Sequence, residues 1–217
     1  MSHRAAPMVV GLSGPDGAGK STTLAELAAA LGREGVVAVG SHLYGCLLCR
    51  RWAAAPAAAL ASSAAGGRGG GRLAAAARRG HALVDVAELS LRLRAACAGA
   101  RLRGAGTATL VVTDRGPLDG LAKHDPAAAS LVGRWYRRCA GRYQMIVWLD
   151  APAEVLAERD GEHGPAELAA WRDRFGRWAD HLGNVVRVDT ATGPPEAVAR
   201  TIRGWLDGAV PAGPGRA

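Results

Sequence analysis

Gly14, Gly19, Lys20 and Ser21 stand at the spacing G-x-x-x-x-G-K-[ST], within the run Gly-Pro-Asp-Gly-Ala-Gly-Lys-Ser from Gly14 to Ser21. The residue types explain the spacing. Glycines let successive backbone N–H groups turn toward phosphate oxygens, and a helix opening at Lys20 adds the partial positive charge of its N-terminus. Lys20 is spaced to reach the β and γ phosphates, and the Ser21 hydroxyl to bind Mg²⁺. The motif therefore predicts a cradle of Gly14, Asp16, Gly17, Ala18, Gly19, Lys20, Ser21 and Thr22 for ATP with Mg²⁺.

Such a cradle works only between a strand and a helix, and the flanks supply both. Met8 to Ser13 is a short apolar, β-branched run of the kind that forms a buried parallel strand. Lys20 to Leu31 carries Leu24, Leu27, Ala28 and Leu31 along one helical face. Further strands are expected at Val36–Val39, Leu110–Thr113, Gln144–Leu149 and Val185–Val188, and helices at Leu83–Leu102, Ser130–Cys139, Pro152 to about Arg159, Pro165–His181 and Pro195–Leu206. Strands alternating with helices predict an α/β chain of the P-loop NTPase fold, with a five-stranded parallel sheet, helices on both faces and a short lid. One domain over 1–208 is expected. An Ala/Gly/Arg-rich insertion at about 50–72 interrupts it, a lid covers about 159–165, and a Gly/Pro/Ala-rich tail at 209–217 is expected to be disordered.

Composition narrows the partners. The 217 residues carry a formal net charge of +8, which favours anionic ligands. The chain has no nucleic-acid recognition motif, so ATP and a small-molecule acceptor are the expected partners. A homodimer is compatible with the chain. The alanine run Ala53–Ala65 is too short and too weakly apolar to span a bilayer, and Met1–Pro7 holds no apolar leader segment, so a cytoplasmic setting is expected. Four cysteines at uneven spacing make no disulfide framework, and Cys46-x-x-Cys49 lacks the second pair that a structural zinc site needs. Ala122-Lys123-His124-Asp125 mimics the guanine-reading motif of GTPases but lacks its first residue and follows the third strand too closely.

Beyond the cradle, three further segments join it in resembling the thymidylate kinase family. Gly14 to Thr23 looks like that family's P-loop, with its internal acid at Asp16. Leu110 to Arg115 is similar to its strand ending in Asp-Arg. Val147–Arg159 resembles the strand and helix that enter its lid, and Val188-Asp189-Thr190 its adenine-side loop. The resemblance implies an ATP- and Mg²⁺-dependent kinase of the nucleoside-monophosphate kinase group, most specifically acting on dTMP. It implies that Asp16 faces the acceptor, that Asp114 lies near Mg²⁺ and the acceptor, and that Arg115 contacts the acceptor phosphate or the transferred phosphoryl group. The loop's variable positions supply no cation, so the charge on the transferring group must be met from the lid. Arg159 is the first choice, with Arg172 and Arg174 as weaker ones.

The chain departs from the family on the acceptor side. No Tyr-Gln pair follows Asp114-Arg115, and no aromatic residue stands near the start of the helix around Leu83. The acceptor is therefore open between dTMP or a related nucleoside monophosphate and another small molecule bearing a hydroxyl, such as a nucleoside, a sugar or a specialised metabolite. A non-catalytic ATP-binding regulator is the alternative from another class. Asp119 reads either as a general base for a hydroxyl acceptor or as a carboxylate at a helix N-terminus. His81, Asp85, Glu88 and Arg92 recur at helical spacing, as a stripe facing either the acceptor or solvent.

Overall fold

Val9 and Val10 show how the chain is layered, because neighbours along a strand face opposite sides of the sheet. A computed structural model describes residues 7–32, 41–42, 70–103 and 110–206. Its strands are β1 (Met8–Ser13), β2 (Leu110–Asp114), β3 (Met145–Asp150) and β4 (Val185–Asp189). They run parallel in the order β2-β1-β3-β4, with Val10 opposite Val112 and Leu12 opposite Val147. Two further residues, Ser41 and His42, pair with Thr113 and Asp114 at the outer edge of β2. The described sheet thus has four strands of five or six residues rather than five, and the expected strand at Val36–Val39 lies outside the described residues.

Seven helices are described: α1 (Lys20–Gly32), α2 (Gly70–Arg103), α3 (Pro117–His124), α4 (Leu131–Ala140), α5 (Ala153–Asp160), α6 (Pro165–Ala179) and α7 (Pro195–Leu206). One face of the sheet, carrying Val9, Val111, Ile146 and Trp148, packs with residues of α2, α3, α4 and α6. The other, carrying Val10, Leu12, Val112, Val147 and Leu149, packs with α1, α5 and α7. Helices on both faces are what near-continuous apolar strands require, since each strand has two sides to remove from water. Among the described residues, no helix is long and apolar enough to cross a membrane.

Two elements differ from expectation. Helix α2 starts at Gly70, so residues expected to end the insertion, and the stretch before Leu83, are helical. The run Leu73 to Arg79 lacks an apolar stripe but is built from strong helix formers, and propensity prevails where periodicity is silent. The rest of the expected insertion, the pair Cys46 and Cys49 and the tail at 209–217 lie outside the described residues. Helix α3 is implied in the sequence only by one of the two readings of Asp119, without bounds. Pro117 at its first turn and Asp119 at its third position start it, and the Asp119 Oδ2 accepts the Gly116 N–H at 2.8 Å.

Candidate active site

The Gly14–Ser21 segment leaves β1 and enters α1 through three residues of positive φ: Gly14 at 152°, Gly17 at 79° and Gly19 at 82°. Two of these glycines also face backbone. A Cβ on Gly14 would lie 2.3 Å from the Leu149 carbonyl oxygen, and one on Gly17 would lie 2.5 Å from that of Leu156. The loop is therefore pressed between the end of β3 and the body of α5, and only glycine fits at either place.

Lys20 is buried, and its ammonium donates to the Gly14 carbonyl at 2.8 Å and the Pro15 carbonyl at 2.7 Å. Burial pulls its pKa down and outweighs the opposing pull of Asp119. Ser21 and Thr22 are exposed at the start of α1. An open cleft of about 430 Å³ is lined by Asp16, Gly17, Gly19, Lys20, Ser21, Thr22, Asp114, Arg115 and Arg159. All six residues expected to act catalytically lie around the cradle. Five of them (Lys20, Asp16, Asp114, Arg115 and Arg159) line this cleft, and Asp119 lies behind it.

Asp114 ends β2 next to β1, and the N–H of Arg115, the next residue, donates to the Leu12 carbonyl at 2.8 Å. Arg115 has φ of 65°, a left-handed conformation that a side chain adopts only under local constraint. That turn aims its guanidinium at Asp16, where Nη2 meets Oδ1 at 2.5 Å. Burial pushes the Asp16 carboxyl up, but Arg115 and then Lys20 overcome it and the net direction is down. Burial likewise opposes the charge on Arg115, and Asp119 and Asp16 restore it, so its pKa lies above the ordinary value.

The Asp16–Arg115 pair is a shared wall. On its far side lies a second, smaller cavity of about 60 Å³, lined by Gly14, Pro15, Asp16, Arg115, Asp119 and Lys123 and roofed by His163, Leu168, Trp171 and Phe175. Asp119 is buried there, its Oδ1 accepting the Gly14 N–H at 3.4 Å and its Oδ2 the Gly116 N–H. The helix-start reading of this residue holds, since it caps the first turn of α3, and the residue also lines the pocket beside the Gly14–Ser21 loop. Burial pushes its pKa up against Lys20, which pulls it down.

The expected lid is four residues long, between α5 and α6. Gly161 closes α5 with φ of 73°, and the Asp160 Oδ2 accepts the His163 N–H at 3.0 Å and lies 2.6 Å from His163 Nδ1. The hydrogen bond to Asp160 raises the His163 pKa. Arg159 reaches over the cleft and donates through Nη2 to the Thr190 carbonyl at 3.1 Å, which ties it to the loop after β4. Arg172, a weaker candidate for the lid cation, does not line the cleft. Its Nε and Nη2 donate to Asp150 at 2.7 and 2.9 Å, while Arg187 donates to the same carboxylate and stacks 4.8 Å from the Trp148 ring centre. Asp150 is a buried acid at a strand end and takes the nearest arginines whatever their exposure in sequence. Arg174 lies 5.4 Å over the Trp171 ring.

The helical stripe on α2 is turned inward, contrary to a solvated face. Asp85 is buried and sits 2.7 Å from His124 Nε2, 3.3 Å from Lys123 Nζ and 3.6 Å from His81 Nε2, and Glu88 pairs with Arg92. Lys123, Trp171 and Phe175 line the second cavity, a role that sequence reasoning had not given them. The spacing of Leu168, Trp171 and Phe175 at i, i+3 and i+7 marks one helical face, but periodicity cannot tell a core face from a pocket wall. No family model matches the chain, and no curated protein matches it.

Proposed function

We infer that this protein is a thymidylate-kinase-like P-loop kinase that transfers the γ-phosphoryl group of ATP, with Mg²⁺, to a small-molecule acceptor. The observation that carries the reading is a single cleft lined by Lys20, Ser21, Asp114, Arg115 and Arg159 together with the loop glycines Gly17 and Gly19. The residues fit the nucleotide and the metal: two loop glycines stand where a Cβ would collide with backbone, and a hydroxyl and a carboxylate line the same cleft. Ser21 and Asp114 would hold Mg²⁺, which supplies charge neutralisation on the phosphates when bound.

Phosphoryl transfer asks the protein for alignment and for cations around the transferring group. Lys20 supplies one cation from the cradle. Arg159 supplies a second from the α5 side, and Arg115 a third from the acceptor side. Asp16 orients Arg115 through their ion pair. Phosphorylation of dTMP or a related nucleoside monophosphate is the family's version of this reaction.

ADP formation from ATP and Mg²⁺ tests the reading, measured in wild type and Lys20→Ala with ATP binding followed alongside. We expect Lys20→Ala to lose at least about 100-fold in rate while remaining folded. Full activity in that variant would remove the mechanism. ATP binding without ADP formation, across all acceptors, would favour a non-catalytic regulator.

A further inference from the structure

Arg115, Lys123 and His163 stand around the second cavity, and each already has a carboxylate. Arg115 holds Asp16 at 2.5 Å, Lys123 lies 3.3 Å from Asp85, and His163 lies 2.6 Å from Asp160. Arg172, next to Trp171 on the roof, is bound to Asp150. Asp119 adds a further carboxylate to the lining.

A phosphate monoester would bring close to two negative charges into this space, beside the phosphates of the donor. With Lys123 and His163 held by Asp85 and Asp160, Arg115 shared with the transferring group and Lys20 set against Asp119, the cavity keeps no cation aside for such an acceptor. A neutral hydroxyl has the opposite need: it must lose a proton as it attacks, and a buried carboxylate at hand provides the base. Resting on the kinase reading, the geometry points to a neutral, hydroxyl-bearing acceptor with an apolar or ring-shaped body, whose proton is taken by Asp119.

The acceptor oxygen forms a bond to the γ-phosphorus. The bond from that phosphorus to the bridging oxygen breaks, and its electron pair leaves on ADP. The hydroxyl proton passes to the Asp119 carboxylate and from there to water. Leu168, Trp171 and Phe175 form the apolar wall for the acceptor's body, and the cavity of about 60 Å³ admits its reacting end. Burial makes Asp119 a stronger base than Asp16, which its two cationic partners hold down.

The test is ADP formation by the wild-type protein with two acceptor sets. Thymidine, adenosine, D-glucose and 2-phenylethanol form the first set, and dTMP, AMP and CMP the second. We expect at least one hydroxyl compound to raise the rate tenfold or more above every monophosphate. A larger stimulation by a monophosphate overturns the inference and leaves the kinase reading standing, whereas no stimulation by either set removes both. Calorimetry on thymidine and dTMP, with the cradle filled by a non-hydrolysable ATP analogue, gives a readout apart from turnover, and tighter binding of dTMP counts against the inference. With the active acceptor, the rate should rise with pH as Asp119 loses its proton, and Asp119→Asn should abolish that limb. An unchanged pH profile in a folded Asp119→Asn protein rules out Asp119 as the base. Should that variant fail to fold, because Asp119 also starts α3, the wild-type acceptor comparison decides.

Discussion

The Arg115 guanidinium meets the Asp16 carboxylate at 2.5 Å across 99 positions of sequence, and this pair lies between the open cleft and the second cavity. Both residues contribute to both spaces. Removing the guanidinium should therefore harm transfer from either side, and the left-handed backbone at Arg115 offers a clean way to do it. Arg115→Gly keeps the turn unstrained while deleting the side chain. We expect a rate loss of about 100-fold with a melting temperature within a few degrees of wild type, read by ADP formation and thermal unfolding. A normal rate would reduce the pair to a structural bridge.

Gly17 and Gly19 share a positive φ but differ in their surroundings. A Cβ at Gly17 would meet the Leu156 carbonyl oxygen, whereas one at Gly19 would meet nothing within 4 Å. Gly19→Ala should cost about 1 kcal/mol, the strain of a left-handed alanine alone. Gly17→Ala should cost more and weaken ATP binding. Equal losses in melting temperature and ATP affinity for the two variants would contradict the packing described for the loop.

Asp150 links stability to pH. Burial pushes its carboxyl up, but the hydrogen bonds from Arg172 and Arg187 prevail and its folded pKa lies below the ordinary carboxylate range. A lowered folded pKa means that the ionised group stabilises the fold above the unfolded value of about 3.9, and that this contribution disappears as pH falls through the folded one. Asp150→Asn should then cost about 2 kcal/mol at pH 7, with the difference from wild type shrinking below about pH 4. Denaturant unfolding at pH 3, 5 and 7 checks it, and a gap that stays constant down to pH 3 would contradict the assignment.

Arg159 hangs over the cleft from an exposed position, with its guanidinium anchored on the Thr190 carbonyl. Arg159→Ala should lower turnover by about 10- to 100-fold with little change in melting temperature. A stability loss with normal turnover would make it a tie between α5 and the loop after β4.

How much of this was legible beforehand depended on range. The glycine loop between β1 and α1 and the strands β1 to β4 could be read because each is a contiguous run with its own pattern. Arg172 was read by its neighbours on α6, which said nothing of Asp150, twenty-two residues away on another element. The same limit applied to Asp85, whose stripe could face either the acceptor or solvent until α3 brought His124 and Lys123 against it. Asp119 stood between two readings because a general base and a helix start both ask for a carboxylate; tertiary packing places it at the start of α3 and against the second cavity.

Gly14 and Gly17 abut carbonyl oxygens, not side chains. An obstructing side chain can be trimmed by a second mutation elsewhere, but the backbone of Leu149 or Leu156 offers no such remedy. In a genetic screen for recovery from Gly14→Ala or Gly17→Ala, suppressors at positions 149 and 156 should be absent, and revertants should dominate. The two positions are, in that sense, closed to evolutionary drift for as long as β3 and α5 keep their present distance from the loop.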